Sequence, residues 1–372
     1  MPRGSLHLYL RTCLMALACT CVTAMAQVPA HYPSGYADIV SAARKEGRVV
    51  VYSTTDTATV SALIRDFESM YSGVHVEYSD LNSAELHNRY LAETAQRRPS
   101  ADVLWSSAMD LQMKLANDKQ AIEYASPEMG ALPTWAVWHN AAYGTTFEPA
   151  VFVYSKRFVD AAEVPRTHAD FLALMTGRRE KYAGKVNTYD IEKSAVGFLF
   201  ATQDSRVQAR FWEFADALGA NGVSFHRNTS TMVERIASGK DYLGYNLIGS
   251  YALARARRDP SIGVVLPHDY TLVMSRIALL SKGAPHPNAG KLWLDYLLSR
   301  RGQSLLANRS ELAAIRSDVE GEFTAATLRA TLGTSLKAIG VGPTLLVFLD
   351  QSKRGEFLRR WQRSTAPAGS VK

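Results

Sequence analysis

Hydroxyl and amide side chains recur in this chain wherever an apolar run ends. Ser53, Thr54, Thr55 and Asp56 follow Val49-Val50-Val51-Tyr52, and Ser106 and Ser107 follow Asp102-Val103-Leu104-Trp105. Asn246 closes the run from Tyr242, with Gly249, Ser250 and Tyr251 just beyond, and Tyr189 and Asp190 close a shorter run from Gly184. Glu192-Lys193-Ser194-Ala195 then opens a helical pattern. Hydroxyls beside helix starts suit a phosphate or carboxylate, because unpaired backbone N–H groups and the helix dipole favour negative charge there. Lys193 adds a formal positive charge, while Asp190 and Asn246 are placed to hold ligand hydroxyls. The competing reading of each Ser or Thr is a plain helix cap, and of Asp190 a turn residue.

None of this is catalytic machinery. The chain has no G-x-S-x-G elbow, P-loop or dinucleotide fingerprint. Its nine histidines show neither HExxH nor H-x-x-E-H spacing, so no zinc site is expected. The reading is a binding protein with no enzyme activity, no cofactor and no metal. No Lys/Arg run is interleaved with aromatics, so nucleic acid is not a partner. Trp105, Trp135 and Trp138 could stack on a sugar but read better as core. His226-Arg227 and Arg255-Ala256-Arg257-Arg258 read as solvated faces.

These residues need elements that bring them together. Val49–Tyr52, Val74–Tyr78 and Asp102–Trp105 read as strands, alternating with helices bearing Val60, Leu63, Phe67 and Tyr71, and spanning 85–96. A second alternating unit follows, with strands over 150–154, 184–190 and 242–246 and helices opened at Thr167, Ser194, Thr231 and Gly249. Alternation of this kind means mainly parallel sheets flanked by helices, with ligands at the carboxyl ends of the strands. Tyr143 and Thr145 lie at the first crossing between the units and Arg276 in the second crossing, positions that can line a shared cleft. The expected division is lobe 1 over 27–147 and 272–345, lobe 2 over 148–271, and a C-terminal helix and tail over 346–372, frayed from Ser364.

With 372 residues, 47% of them hydrophobic and 21% charged, the chain has room for two globular lobes and no compositional case for disorder. Arg3 and Arg11 precede an apolar run over 12–26 that ends Ala24-Met25-Ala26, the form of a secretory signal peptide cleaved after Ala26 into the periplasm. Cys13, Cys19 and Cys21 all fall within it, so the mature chain has no thiol; a lipid anchor on Cys19 is the rival. Removing the two arginines lowers the formal charge from +7 to +5, a modest excess that suits anionic ligands. The expected state is a monomer.

His286-Pro287-Asn288-Ala289, Asp295-Tyr296-Leu297-Leu298-Ser299 and Gly302-Gln303, read in order with VVVYS-TT, ADVLWSS and GYNLIGSYALAR, resemble the iron(III)-type extracellular solute-binding proteins. The nearest branch is that of the phosphoglycerate and hexose-phosphate binders. The resemblance implies the two-lobed, type II periplasmic-binding-protein fold, a cleft that closes on its solute, and an ABC permease partner. Some relatives of this kind serve a sensor kinase instead. It also implies an anion-binding loop at Lys193-Ser194-Ala195. Ferric sites of the family use a His after the first strand, a Glu after the ADV strand and an adjacent Tyr pair. Here those places hold Asp56, Ser106-Ser107 and the lone Tyr251. A hard trivalent ion needs several anionic oxygens, so a phosphorylated sugar or phosphoglycerate-like solute is the better ligand and ferric iron the alternative.

Overall fold

The computed structural model describes residues 28–366, so the expected signal segment and its three cysteines lie outside the described residues. Among the described residues, thirteen strands form two sheets. The first receives β1 (Arg48–Ser53), β2 (His75–Asp80), β3 (Val103–Ser106), β4 (Val137–Trp138) and β5 (Ala142–Gly144). The second receives β6 (Glu148–Ser155), β7 (Val186–Tyr189), β8 (Ser224–His226), β9 (Leu243–Ile248), β10 (Ile262–Val265) and β11 (Thr271–Met274). The chain returns to the first sheet as β12 (Ile277–Leu280), and β13 (Leu336–Ala338) adds to β11.

The first sheet runs β2-β1-β3-β12-β5-β4 and the second β13-β11-β6-β9-β7-β8, with β10 also on β6. Strands joined by a covering helix pair in parallel, as β2-β1-β3 and β8-β7-β9 do. The crossing strands β6, β11 and β12 run against their sheet partners β9, β6 and β3, which makes both sheets mixed. Sheet membership also redraws the expected division. Thr271–Met274 is bonded to β6 in the second sheet, so the return crossing falls at Ser275-Arg276, and Leu336–Ala338 joins that sheet too.

Each sheet is buried by helices on its faces. Val49, Val51, Val103 and Trp105 pack against Leu292, Trp293 and Tyr296 of the helix Pro287–Leu298. Phe152, Val186, Leu243 and Tyr245 pack against Phe171, Phe198 and Phe214. A further cluster, holding Met109, Met113, Leu199, Met274 and Leu345, joins the two lobes. The last helix (Gln351–Thr365) packs Phe357 and Trp361 on Phe211, and its Thr365 is buried, so the chain stays ordered past the expected fraying point at Ser364. No helix among the described residues is long and apolar enough to cross a membrane.

Candidate functional site

Because β1 and β3 are parallel neighbours, their carboxyl ends open side by side. Thr54 and Ser107 meet there: the Ser107 N–H donates to Thr54 Oγ1 at 2.9 Å, and the two hydroxyls lie 3.1 Å apart. Ser53 and Ser106 are turned away from this exit. Their hydroxyls accept from the N–H of Thr55 and Ala108, each at 3.1 Å, which folds the two tight turns that aim Thr54 and Ser107 outward.

The second lobe supplies the opposite wall. Ser194 caps the helix Ala195–Val207, its Oγ accepting from the Gly197 N–H at 3.3 Å. Glycine is required at 197, where a Cβ would sit 2.3 Å from the Tyr189 Cβ, so the absent side chain lets this helix start lie against the end of β7. The Tyr189 hydroxyl bonds that of Thr229 and thereby ties a second helix start to the first. Asn228 caps that helix (Thr229–Ala237), accepting from the Thr231 N–H at 2.9 Å. On the first lobe Asn82 caps Ser83–Ala95 in the same way, accepting from Glu85 at 2.9 Å.

Between these walls is a cavity of about 710 Å³. Of the residues expected in the site, it is lined by Thr54, Asp56, Ser107, Tyr189, Lys193, Ser194, Tyr251 and Arg276. Lys193 places its Nζ 2.9 Å from Asp190, while Arg227, also in the wall, has no ion-pair partner among the described residues. Asp56 and Asp80 face the cavity from the first lobe. Burial pushes the Asp56 carboxyl above the usual carboxylate range, the Asp80 charge adds to this, and Arg276 opposes it. Burial likewise raises the Tyr251 hydroxyl, against the pull of Arg276. The wall therefore offers anion-stabilising helix starts and cations on one lobe, and hydroxyls with acceptor carboxylates on the other.

Several expected site residues are elsewhere. Asn246 is buried with left-handed backbone (φ 60°), and its amide donates to the Asp204 carboxylate; that carboxylate also takes the Tyr245 and Tyr270 hydroxyls at 2.8 and 2.9 Å. A buried charge demands such donors, and Asn246 serves it rather than a ligand. Tyr143 is a core residue whose hydroxyl donates to the Tyr124 carbonyl at 2.5 Å. Thr145 accepts from Trp105 Nε1 and donates to the Arg276 carbonyl, both at 2.8 Å, knitting the two crossings. Thr55 is buried as the acceptor of an Arg276 N–H. Asp190 accepts from the Glu192 N–H at 3.2 Å, the turn role, and with Ala195 it stays out of the cavity wall. Ser250 donates to the buried Glu148 carboxylate and lines a smaller adjoining chamber.

The polar parts of the wall absent from the expected site are Asp80, Asn82 and Ser83, and Arg227 through Ser230. Arg227 is exposed, as its assignment to a solvated face implies, and it also lines the cavity. The signal that finds both segments is the N-cap: Asn82 followed by Glu85, and Asn228 before Thr229, start their helices two residues earlier than the apolar periodicity alone suggests.

Comparison with known proteins gives one consistent result. A family model described as bacterial extracellular solute-binding protein matches residues 62–331. No curated protein matches. Among solved structures, the substrate-binding protein of an ABC transporter from Agrobacterium tumefaciens is 39% identical, with 86% of this chain and 94% of that chain covered and a TM-score of 0.82. The periplasmic binding protein AfuA from Actinobacillus pleuropneumoniae, with exogenous fructose-6-phosphate bound, shares the fold at 17% identity and TM-score 0.71, covering 86% and 99%. The apo ferric ion-binding protein A of Pasteurella haemolytica does so at 18% and 0.69, covering 87% and 99%.

Proposed function

The chain belongs to the bacterial extracellular solute-binding proteins, and from that premise we propose that it is the periplasmic substrate-binding component of an ABC importer whose cleft takes a phosphorylated sugar or a phosphoglycerate-like anion. The observation that carries the ligand class is the second-lobe wall. Two helix starts, capped by Ser194 and Asn228, face one cavity together with Lys193 and Arg227, the latter without an ion-pair partner among the described residues. Backbone N–H groups and two cations converging on one wall favour a compact anion. Each charge-assisted hydrogen bond contributes about 1.5–3 kcal/mol. Across the cavity, Thr54, Ser107, Asp56 and Asp80 suit the hydroxyls of the same solute. Closing the lobes expels water and strengthens each of these contacts. The fructose-6-phosphate held by the Actinobacillus protein fits the same ligand class.

A ferric complex is the second reading, supported by three hard oxygen donors lining the same cavity, Asp56 and Asp80 from the first lobe and Tyr251 from the second. A thermal-shift and calorimetric panel of hexose phosphates, phosphoglycerates, carboxylates and ferric citrate decides between them. A solute at a hundred times its Kd adds about 2.7 kcal/mol to folding stability, a plain shift in Tm. Stabilisation by ferric citrate alone, with none from any phosphate, would reject the anion reading.

A further inference from the structure

The main cavity does not end at Tyr251. A second chamber of about 280 Å³ adjoins it, and Asp56, Ser230 and Tyr251 line both. That volume is close to the lower bound, roughly 300 Å³, of pockets that hold whole small ligands. Both lobes build it: Thr59 and Ser310 come from the first, Ser230 and Ala254 from the second.

Its arginines are already paired, while Asp56, shared with the main cavity, has no ion-pair partner among the described residues. Arg255 lies 2.7 Å from Glu234 and 3.2 Å from Asp259. Arg258 of the second lobe reaches Glu311 of the first at 3.2 Å, so this pair spans the cleft. A second phosphate or carboxylate would have to break these pairs, whereas an uncharged hydroxylated group need not. Ser310 also lines the chamber, is 5% exposed, and its Oγ has no hydrogen-bond partner among the described residues. A buried hydroxyl without a partner is uncommon and calls for an explanation.

We infer that the cleft is bipartite and that its solute carries, beyond the phosphorylated unit in the main cavity, a second uncharged polyhydroxy unit that enters this chamber past Tyr251 and meets Ser310. The inference rests on the proposed phosphate reading of the main cavity and narrows it to two-unit sugar phosphates.

Calorimetry with glucose 6-phosphate and trehalose 6-phosphate, which differ by one glucose unit, tests this directly. Trehalose 6-phosphate should bind at least about tenfold more tightly. Ala254→Phe, which fills the chamber, should shrink that preference to about twofold, and Ser310→Ala should shrink it severalfold with a milder perturbation of the fold. Equal affinity for the two compounds, or a preference untouched by both variants, would overturn the bipartite cleft and leave the phosphate reading standing. Binding of neither compound would overturn the bipartite cleft, and the phosphoglycerates of the panel above would then decide the phosphate reading.

Discussion

Arg276 and Glu148 form a fully buried ion pair at the crossing between the lobes, with Arg276 Nε 2.8 Å from Glu148 Oε1. Nη2 reaches Oε2 at 3.2 Å, while Nη1 donates to the Thr54 carbonyl at 3.2 Å and to Thr55 Oγ1 at 3.0 Å. Glu148 also accepts from Thr146 and Ser250. The guanidinium thus spends its donors on holding the β1 exit loop to the hinge, and its place in the cavity wall follows from that task.

Glu148→Gln should therefore destabilise the empty protein by about 3–5 kcal/mol, because it strands a buried guanidinium without its counter-charge. Urea denaturation measures the loss. A change under about 1 kcal/mol would show that water reaches Arg276.

Ser194 and Arg227 should separate capping from binding. Ser194→Ala removes the acceptor of the Gly197 N–H and should cost about 1 kcal/mol of stability as well as affinity. Arg227→Ala removes an exposed cation with no ion-pair partner among the described residues, so Tm should hold while phosphate affinity falls about ten- to hundredfold. Paired melting curves and calorimetry on the two variants check this. Unaltered affinity in Arg227→Ala would remove it from the site.

Purified protein should be colourless and gain no visible band when ferric salt is added with citrate or phosphate. Tyr251 is the one tyrosine at the place where ferric sites in the resembling family have a pair, and Ser106-Ser107 stands where they have a carboxylate. A red or orange tyrosinate–iron complex on titration in an absorption cell would make the ferric reading the correct one.

The sheets were legible because buried parallel strands are continuous apolar runs, and Val49–Tyr52 and Asp102–Trp105 announced themselves and their polar exits together. Exit position alone could not say which hydroxyl faces out. Ser53 and Thr54 are adjacent, yet one folds a turn and the other lines the cavity. The failures at Asn246 and Tyr143 share one cause: their partners, Asp204 and Tyr124, are 42 and 19 residues away, and no local pattern records that pairing. Arg276 and Glu148, 128 residues apart, are the same case. The missed helix starts at Asn82 and Asn228 were legible, since an N-cap asparagine is a local signal.

The last prediction concerns pH. Asp110, in the first turn of the helix Met109–Asn117, is 4% exposed, and its carboxylate accepts from the Leu111 N–H at 2.9 Å. Burial drives its carboxyl up from 3.8 to about 6, against weaker opposition from that N–H and the Arg354 charge. A carboxyl raised in the folded state binds its proton more tightly there than in the unfolded chain. Its penalty is absent below the unfolded value, grows as pH rises from about 4 to 6, and is complete above. At roughly 1.4 kcal/mol per unit, the full cost is of the order of 3 kcal/mol. Asp110→Asn should therefore raise the unfolding free energy at pH 7.5 by about 1–3 kcal/mol, less whatever its amide loses in a site built for an acid, and gain nothing at pH 3.5. Urea titrations of wild type and variant across that range give the answer. A gain independent of pH would mean that Asp110 acts through packing, and a loss at pH 7.5 would mean that its charge is compensated where it lies.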